Sequence, residues 1–227
     1  MTFWWRDDDA AADDPRLERL LAIAEARAVP IALAVVPERL EAATVRRILA
    51  CPWVQVLQHG LAHEDHRSQD GRKCELVDRL DLDRRLVAAR VMLAERFGER
   101  FVPALVPPWN RIEPGLRARL PELGFTGLST FAGRHSPPPV PGLCQRDTHV
   151  DVIRWGEDRR HLDATEIVAA LDAAAERHIG PLGLLSHHLV TDASGFVALD
   201  RAIGLLQDRP DATFRASDAL FRGPAAA

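Results

Sequence analysis

Short apolar runs alternate along this chain with longer stretches in which apolar side chains return every three or four residues. That pattern predicts strands alternating with amphipathic helices. The first run, Phe3-Trp4-Trp5-Arg6, reads as a short buried strand and passes directly into Asp7-Asp8-Asp9. Behind the cap candidates Asp13-Asp14-Pro15, residues Leu17, Leu20, Leu21 and Ala24 predict a helix to about Arg27. Ile31 to Val36 predicts a buried parallel strand ended by Pro37, and Glu38 to Ala50 a helix. Trp53 to Leu57 predicts a strand that delivers His59. From about Leu76 to Phe97 a long helix is expected, with Leu82, Leu86, Ala89, Leu93 and Phe97 on one side and Gly98 as its stop.

The second half repeats the scheme. Phe101 to Val106 predicts a fourth strand, opening into Pro107-Pro108-Trp109-Asn110-Arg111, with a short helix near Pro114 to Leu120. Gly124 to Ser129 predicts a fifth strand or strand edge, and the proline-rich stretch Arg134 to Gly142 a loop. Val150 to Ile153, Leu182 to Leu185 and Thr213 to Arg215 complete the strands, and Thr165 to Arg177 and Phe196 to Gln207 the helices. Residues 220–227 read as a frayed, alanine-rich tail. The expected class is α/β, a distorted (β/α) barrel of about seven parallel strands filling a single domain over 1–227. An open doubly wound sheet is the alternative. The barrel is favoured because Asp7 to Asp9, Trp109 and Asn110, His59 and His187 all fall just past strand ends, the rim where such barrels do their chemistry.

Composition narrows the classes. With 227 residues and 47% hydrophobic content, the chain can bury one sizeable core. A net charge of −4 and the lack of a basic stripe argue against nucleic acid or an anionic membrane as partner. Lys73 is the only lysine, which we read as a coding bias toward arginine. Cys51, Cys74 and Cys144 form no Cys-x-x-Cys pair, so reduced structural thiols are expected. No leader-like segment and no run near the roughly 18 apolar residues of a membrane span is present, giving a cytoplasmic expectation.

Three consecutive carboxylates repel one another unless a cation sits between them. His59 and His63, spaced i and i+4, would share a face if their turn is helical, and could complete a site for one divalent ion with an aspartate. Taken alone, the acidic run could equally be a helix cap and the histidine pair a surface feature. Trp109 suggests a pocket wall that stacks on a sugar or acyl group. His135, His149, His161 and His178 are read as surface or hydrogen-bonded core histidines.

With these residues the chain resembles the polysaccharide deacetylases of the NodB-homology type, related to carbohydrate esterase family 4. The resemblance rests on Arg6-Asp7-Asp8-Asp9-Ala10, His59-Gly60-Leu61-Ala62-His63, Val106-Pro107-Pro108-Trp109-Asn110 and Leu185-Ser186-His187, in the family's order over essentially the whole chain. It implies a general base and a metal ligand in the first motif. Three aspartates allow the registers Asp7/Asp8 and Asp8/Asp9, and small Ala10 favours Asp8 as base and Asp9 as ligand beside His59 and His63. It further implies His187 as the acid, Asp151 as the group that orients it, and His188 as structural or substrate-facing. The family's third-motif arginine is replaced here by Val106, with Arg6 or Arg111 as substitutes; Asp7, Pro108, Trp109 and Asn110 would line or support the cleft.

The implied activity is removal of an acetyl or other acyl group from an N-acetylated sugar or glycan precursor. The expected cofactor is one divalent ion, Zn²⁺ foremost, with Co²⁺, Ni²⁺ or Fe²⁺ as alternatives. Two rival readings are a catalytically impaired carbohydrate-binding homologue and a ferrous Asp-His-His triad for oxygen chemistry. The alternating βα order argues against the latter.

Overall fold

The structure, a computed structural model, describes residues 1–67, 70–133 and 138–221. Its strands are β1 (Thr2–Ala10), β2 (Ile31–Val35), β3 (Val54–His59), β4 (Phe101–Val106), β5 (Gly127–Leu128), β6 (Cys144–Gln145), β7 (Val150–Asp151), β8 (Ile153–Arg154), β9 (Arg160–His161), β10 (Leu182–Ser186) and β11 (Thr213–Phe214). The helices are α1 (Pro15–Arg27), α2 (Ala42–Ala50), α3 (Leu82–Phe97), α4 (Pro114–Arg119), α5 (Ala164–Ala175), α6 (Ala193–Gln207) and α7 (Ser217–Phe221).

Eight parallel strands follow the order β6-β5-β4-β3-β2-β1-β10-β7, and β11 joins the start of β1. The count exceeds the expected seven because one extended stretch, 144–151, is broken in the middle. Its first half pairs with β5 and its second with β10. Between them the Thr148 N–H donates to Thr130 O at 2.9 Å and the His149 N–H to Gly183 O at 2.7 Å. The two ends of the sheet therefore meet in this stretch, and the sheet curls into a distorted (β/α) barrel. A doubly wound open sheet has no such meeting of its edges. β8 and β9, an antiparallel ribbon outside the barrel, have no clear periodic signal in the sequence.

Alternation along β1 assigns its side chains to two cores. Phe3 and Trp5 join the layer between sheet and helices with Leu17, Leu20 and Leu21 of α1 and Phe196, Leu199 and Ile203 of α6. Trp4 faces the interior with Ala32, Ala34, Leu57, Val102, Ala104 and Val106. Small alanines on β2 and β4 leave room there for large side chains, and Leu220 and Phe221 of α7 occupy it. The Phe221 ring meets Trp4 edge-on at 6.1 Å. Leu220 and Phe221 are thus a buried plug rather than the start of a frayed tail; 222–227 lie outside the described residues. So do His135 and part of the proline-rich stretch, 134–137.

Two helices are shorter than their periodicity predicts. Pro37–Arg39 forms a 3₁₀ turn before α2. α3 begins at Leu82 rather than near Leu76, because Leu76 pairs with Ile112 and Asp81 adopts a left-handed φ of 68° that stops helix propagation toward the N-terminus. Among the described residues no helix is long and apolar enough to cross a membrane.

Candidate metal centre and active-site cleft

The acidic run ends β1, and the strand itself separates the three carboxylates. Asp7 pairs with Leu33 of β2 but Ala10 pairs with Val35, so β1 carries one residue more than its neighbour over this interval. Such a bulge bends the strand and re-aims side chains; Asp9 takes the unusual φ of 76°. Asp7 points toward the helix side, Asp8 into the barrel above Trp4 and Arg6, and Asp9 out over the rim.

Asp9 is where the histidines converge. His59 Nε2 and His63 Nε2 each lie 3.2 Å from Asp9 Oδ1, and one ligand atom from each of the three residues lies within 4.8 Å of the others. His59 closes β3, and its Nδ1 sits 2.9 Å from Val106 O, which fixes the ring with Nε2 toward the centre. The His59 to His63 turn is not helical. Gly60 and His63 take φ of 53° and 56°, and the rings stand 5.3 Å apart. An open turn, rather than a helix face, brings the pair together. A carboxylate and two imidazoles converging from three points suit a divalent ion with open positions.

Electrostatics agree with that fit. Burial alone would raise the Asp9 carboxyl, but interaction with His187 and His59 and the charges of His59 and His63 outweigh it, holding the group well below the usual carboxylate range. Burial works against charge on His59, yet Asp9 and Asp8 hold its pKa above the ordinary value. For His63 burial prevails and lowers it.

Arg6 is fully buried and grips Asp8 through Nε, 2.9 Å from Oδ1, and Nη2, 3.0 Å from Oδ2. The same guanidinium donates to Ser129 Oγ at 2.6 Å and to Asn110 Oδ1 at 3.2 Å. Arg111 instead donates from Nη1 to Lys73 O, so of the two candidate substitutes for the arginine lost at Val106 it is Arg6 that meets Asp8. Val106 itself packs in the interior.

The opposite wall comes from β10 and β7. His187 Nε2 lies 3.2 Å from Asp151 Oδ2, leaving Nδ1 to face the cleft 3.8 Å from Asp9 Oδ2. That second distance is too long for a hydrogen bond and acts through charge. Burial opposes charge on His187, but Asp151, Asp9 and Asp8 push its pKa up to about 10. Trp155 donates from Nε1 to Asp151 Oδ2 at 2.7 Å and meets the His187 ring edge-on at 5.3 Å. The doublet neighbour His188 is fully buried and pairs with Asp7: Nδ1 lies 2.5 Å from Oδ1, its N–H donates to Oδ2 at 3.0 Å, and Ser186 Oγ donates to the same oxygen at 2.6 Å. Asp7 and His188 therefore clamp β1 to β10 beneath the cleft and take no part in its surface.

Trp109 and Asn110 adopt φ of 55° and 56° in the turn after β4, and this bend lays the Trp109 ring 4.5 Å from His63. Pro108 packs against Gly60, where an added Cβ would lie 2.7 Å from Pro108 Cδ. Lys73 Nζ stands 5.7 Å over the Trp109 ring. Sequence reasoning missed Trp155, Ser129 and Glu75. Asp151 and Trp155, four residues apart across a strand break, carried the only signal for the first. Glu75 lies just ahead of the helix start predicted near Leu76 and belongs to no motif that would mark it.

No family model matches the chain, and no curated protein matches it in sequence. Solved structures match over nearly its full length. A protein described as a polysaccharide deacetylase from Mycobacterium smegmatis has 18% identity and a TM-score of 0.71, covering 97% of this chain and 88% of its own. One described likewise from Pseudomonas aeruginosa PAO1 has 17% identity and a TM-score of 0.69, covering 97% and 89%. A family 4 acetyl xylan esterase from Clostridium thermocellum, solved with a cobalt ion, has 15% identity and a TM-score of 0.62, covering 97% and 90%. The barrel that presents Asp8, Asp9, His59, His63 and His187 on one rim is thus the fold of the polysaccharide deacetylases and family 4 carbohydrate esterases.

Proposed function

We propose that this protein is a divalent-metal-dependent hydrolase that removes the acetyl or a related acyl group from an N-acylated sugar. The observation that carries the reading is the meeting of Asp9, His59 and His63 between two separately held groups, Asp8 bound to Arg6 and His187 bound to Asp151. Amide hydrolysis needs a base for water, a polarised carbonyl and an acid for the leaving amine. Asp9, His59 and His63 would hold the ion, which supplies Lewis acidity toward water and the acyl oxygen.

Asp8 takes the water's proton. Arg6 keeps that carboxylate fixed in a buried place, while each oxygen retains acceptor capacity beyond the guanidinium contacts. His187, kept protonated at neutral pH by Asp151, delivers its Nδ1 proton to the departing nitrogen. Trp109 and Trp155 stand on opposite sides of the cleft, beside His63 and His187, and offer apolar faces to a sugar ring. Against the impaired-homologue reading, the Arg6 pairing supplies Asp8 with a guanidinium from β1 where Val106 replaces the third-motif arginine.

The test is acetate release from a panel of N-acetylated sugars and oligosaccharides with Zn²⁺ or Co²⁺, with and without chelator. Chelator-sensitive release is expected. Asp8→Asn should cut the rate by about 10²–10⁴ while leaving one bound ion per chain. Sugar binding with no release under any metal would favour the impaired homologue, and no metal uptake would end the reading.

A further inference from the structure

The segment Lys73–Leu76, at and just ahead of the predicted helix start, is a non-helical strap between the His59 to His63 turn and the turn after β4. Glu75 at its centre is fully buried. Its Oε2 accepts the Leu61 N–H at 2.9 Å, and Oε1 accepts those of Ala62 at 2.7 Å and Glu64 at 3.2 Å. Among the described residues these hydrogen-bond partners are all main-chain groups. A buried carboxylate is costly unless its oxygens are satisfied, and here three charge-assisted bonds from one turn satisfy it.

Those three donors bracket His63. Its φ of 56° is a conformation non-glycine residues avoid, held only where the surroundings over-determine it. Gly60 opens the same turn against the carboxylate, where an added Cβ would lie 2.0 Å from Glu75 Oε2. The strap also fastens the far side of the turn. Cys74 Sγ lies 3.5 Å from Arg111 O, Leu76 pairs with Ile112, and Arg111 donates back to Lys73 O. The Trp109 ring against His63 is thereby held by the same segment.

We infer that Glu75 is a positioning residue whose carboxylate shapes the turn that presents His63, and through it sets the affinity of the metal centre. The inference rests on the reading that Asp9, His59 and His63 hold a divalent ion. The experiment is titration of the purified full chain with Co²⁺, followed by its visible absorption, and with Zn²⁺ in competition with a chromophoric chelator. Glu75→Gln places an amide N–H₂ against a main-chain donor, and is expected to weaken binding about 10–100-fold with one ion still bound at saturation. Glu75→Asp keeps the charge but shortens its reach; it carries the same expectation and serves if the glutamine variant does not fold.

A cycle with His63→Ala separates positioning from general support. In that background Glu75→Gln should weaken binding no further, because the ligand it serves is gone. Equal losses in both backgrounds, or wild-type affinity in a folded Glu75 variant, would overturn the positioning role while the metal site stands. A wild-type chain that takes up neither ion overturns both readings.

Discussion

Arg6 and Asp8 show how one residue pair changes what a motif means. Neighbours on the interior face of β1, they form an ion pair that Asn110, in the turn after β4, and Ser129, just past β5, complete. Removing one partner of a buried pair strands the other charge, so Arg6→Met should cost about 3–5 kcal/mol in urea unfolding. Arg111→Met, on the surface of the turn, should stay within about 0.5 kcal/mol. Equal costs would mean the guanidinium roles are misassigned. Asp151 makes a second case. It heads the contacts that raise His187 to about 10, so Asp151→Asn lets the acid lose its proton at lower pH. The alkaline limb of the rate profile for acetate release should then move down, and an unmoved limb would exclude Asp151 from this role. The residue types were legible in the sequence. Which aspartate faces inward was not, because three identical letters carry no sign of a bulge.

At the scale of elements, strands were read more securely than the segments between them. β1 to β4 and β10 appear within a few residues of their predicted positions because each carries a short apolar run buried in the sheet. The start of α3 was misplaced, since Leu76 reads as part of its apolar pattern while pairing instead with Ile112. α7 was missed for the opposite reason: it is one short turn before an alanine-rich end, with no periodicity to read, and tertiary burial alone orders it. Phe221→Ala should therefore cost about 3–5 kcal/mol in denaturant unfolding, as for a large core side chain. A frayed segment would show almost no change.

For the whole molecule, closure of the barrel depends on 144–151, and a titrating group lies in that stretch. His149 Nδ1 accepts the Gly183 N–H of β10 at 3.0 Å, and its ring lies 4.2 Å from that of His178. Burial first, then repulsion from His178, lowers its pKa to about 4. Between about pH 4 and the ordinary value of 6.5 the unfolded chain binds a proton that the folded chain does not. Stability should accordingly fall as the solution is acidified through that window and level off below it. His149→Gln should flatten the slope in chemical unfolding measured from pH 4 to 7, and an unchanged slope would place the titration elsewhere.

The sequence alone determined the alternation of strands and helices, and hence a parallel sheet, because burial writes its period directly into the order of apolar residues; closure into a barrel came from the pairing of 144–151 with both β5 and β10. It also supplied every donor of the proposed metal centre, with Asp9 and His59 near strand ends and His63 in the turn after His59. Only the tertiary structure decided which carboxylates meet which imidazoles, that Arg6 rather than Arg111 holds Asp8, and that Asp7 and His188 lie beneath the cleft. These outcomes turn on backbone angles at Asp9, Gly60, His63 and Trp109 and on contacts between distant strands, and neither leaves a period in the chain.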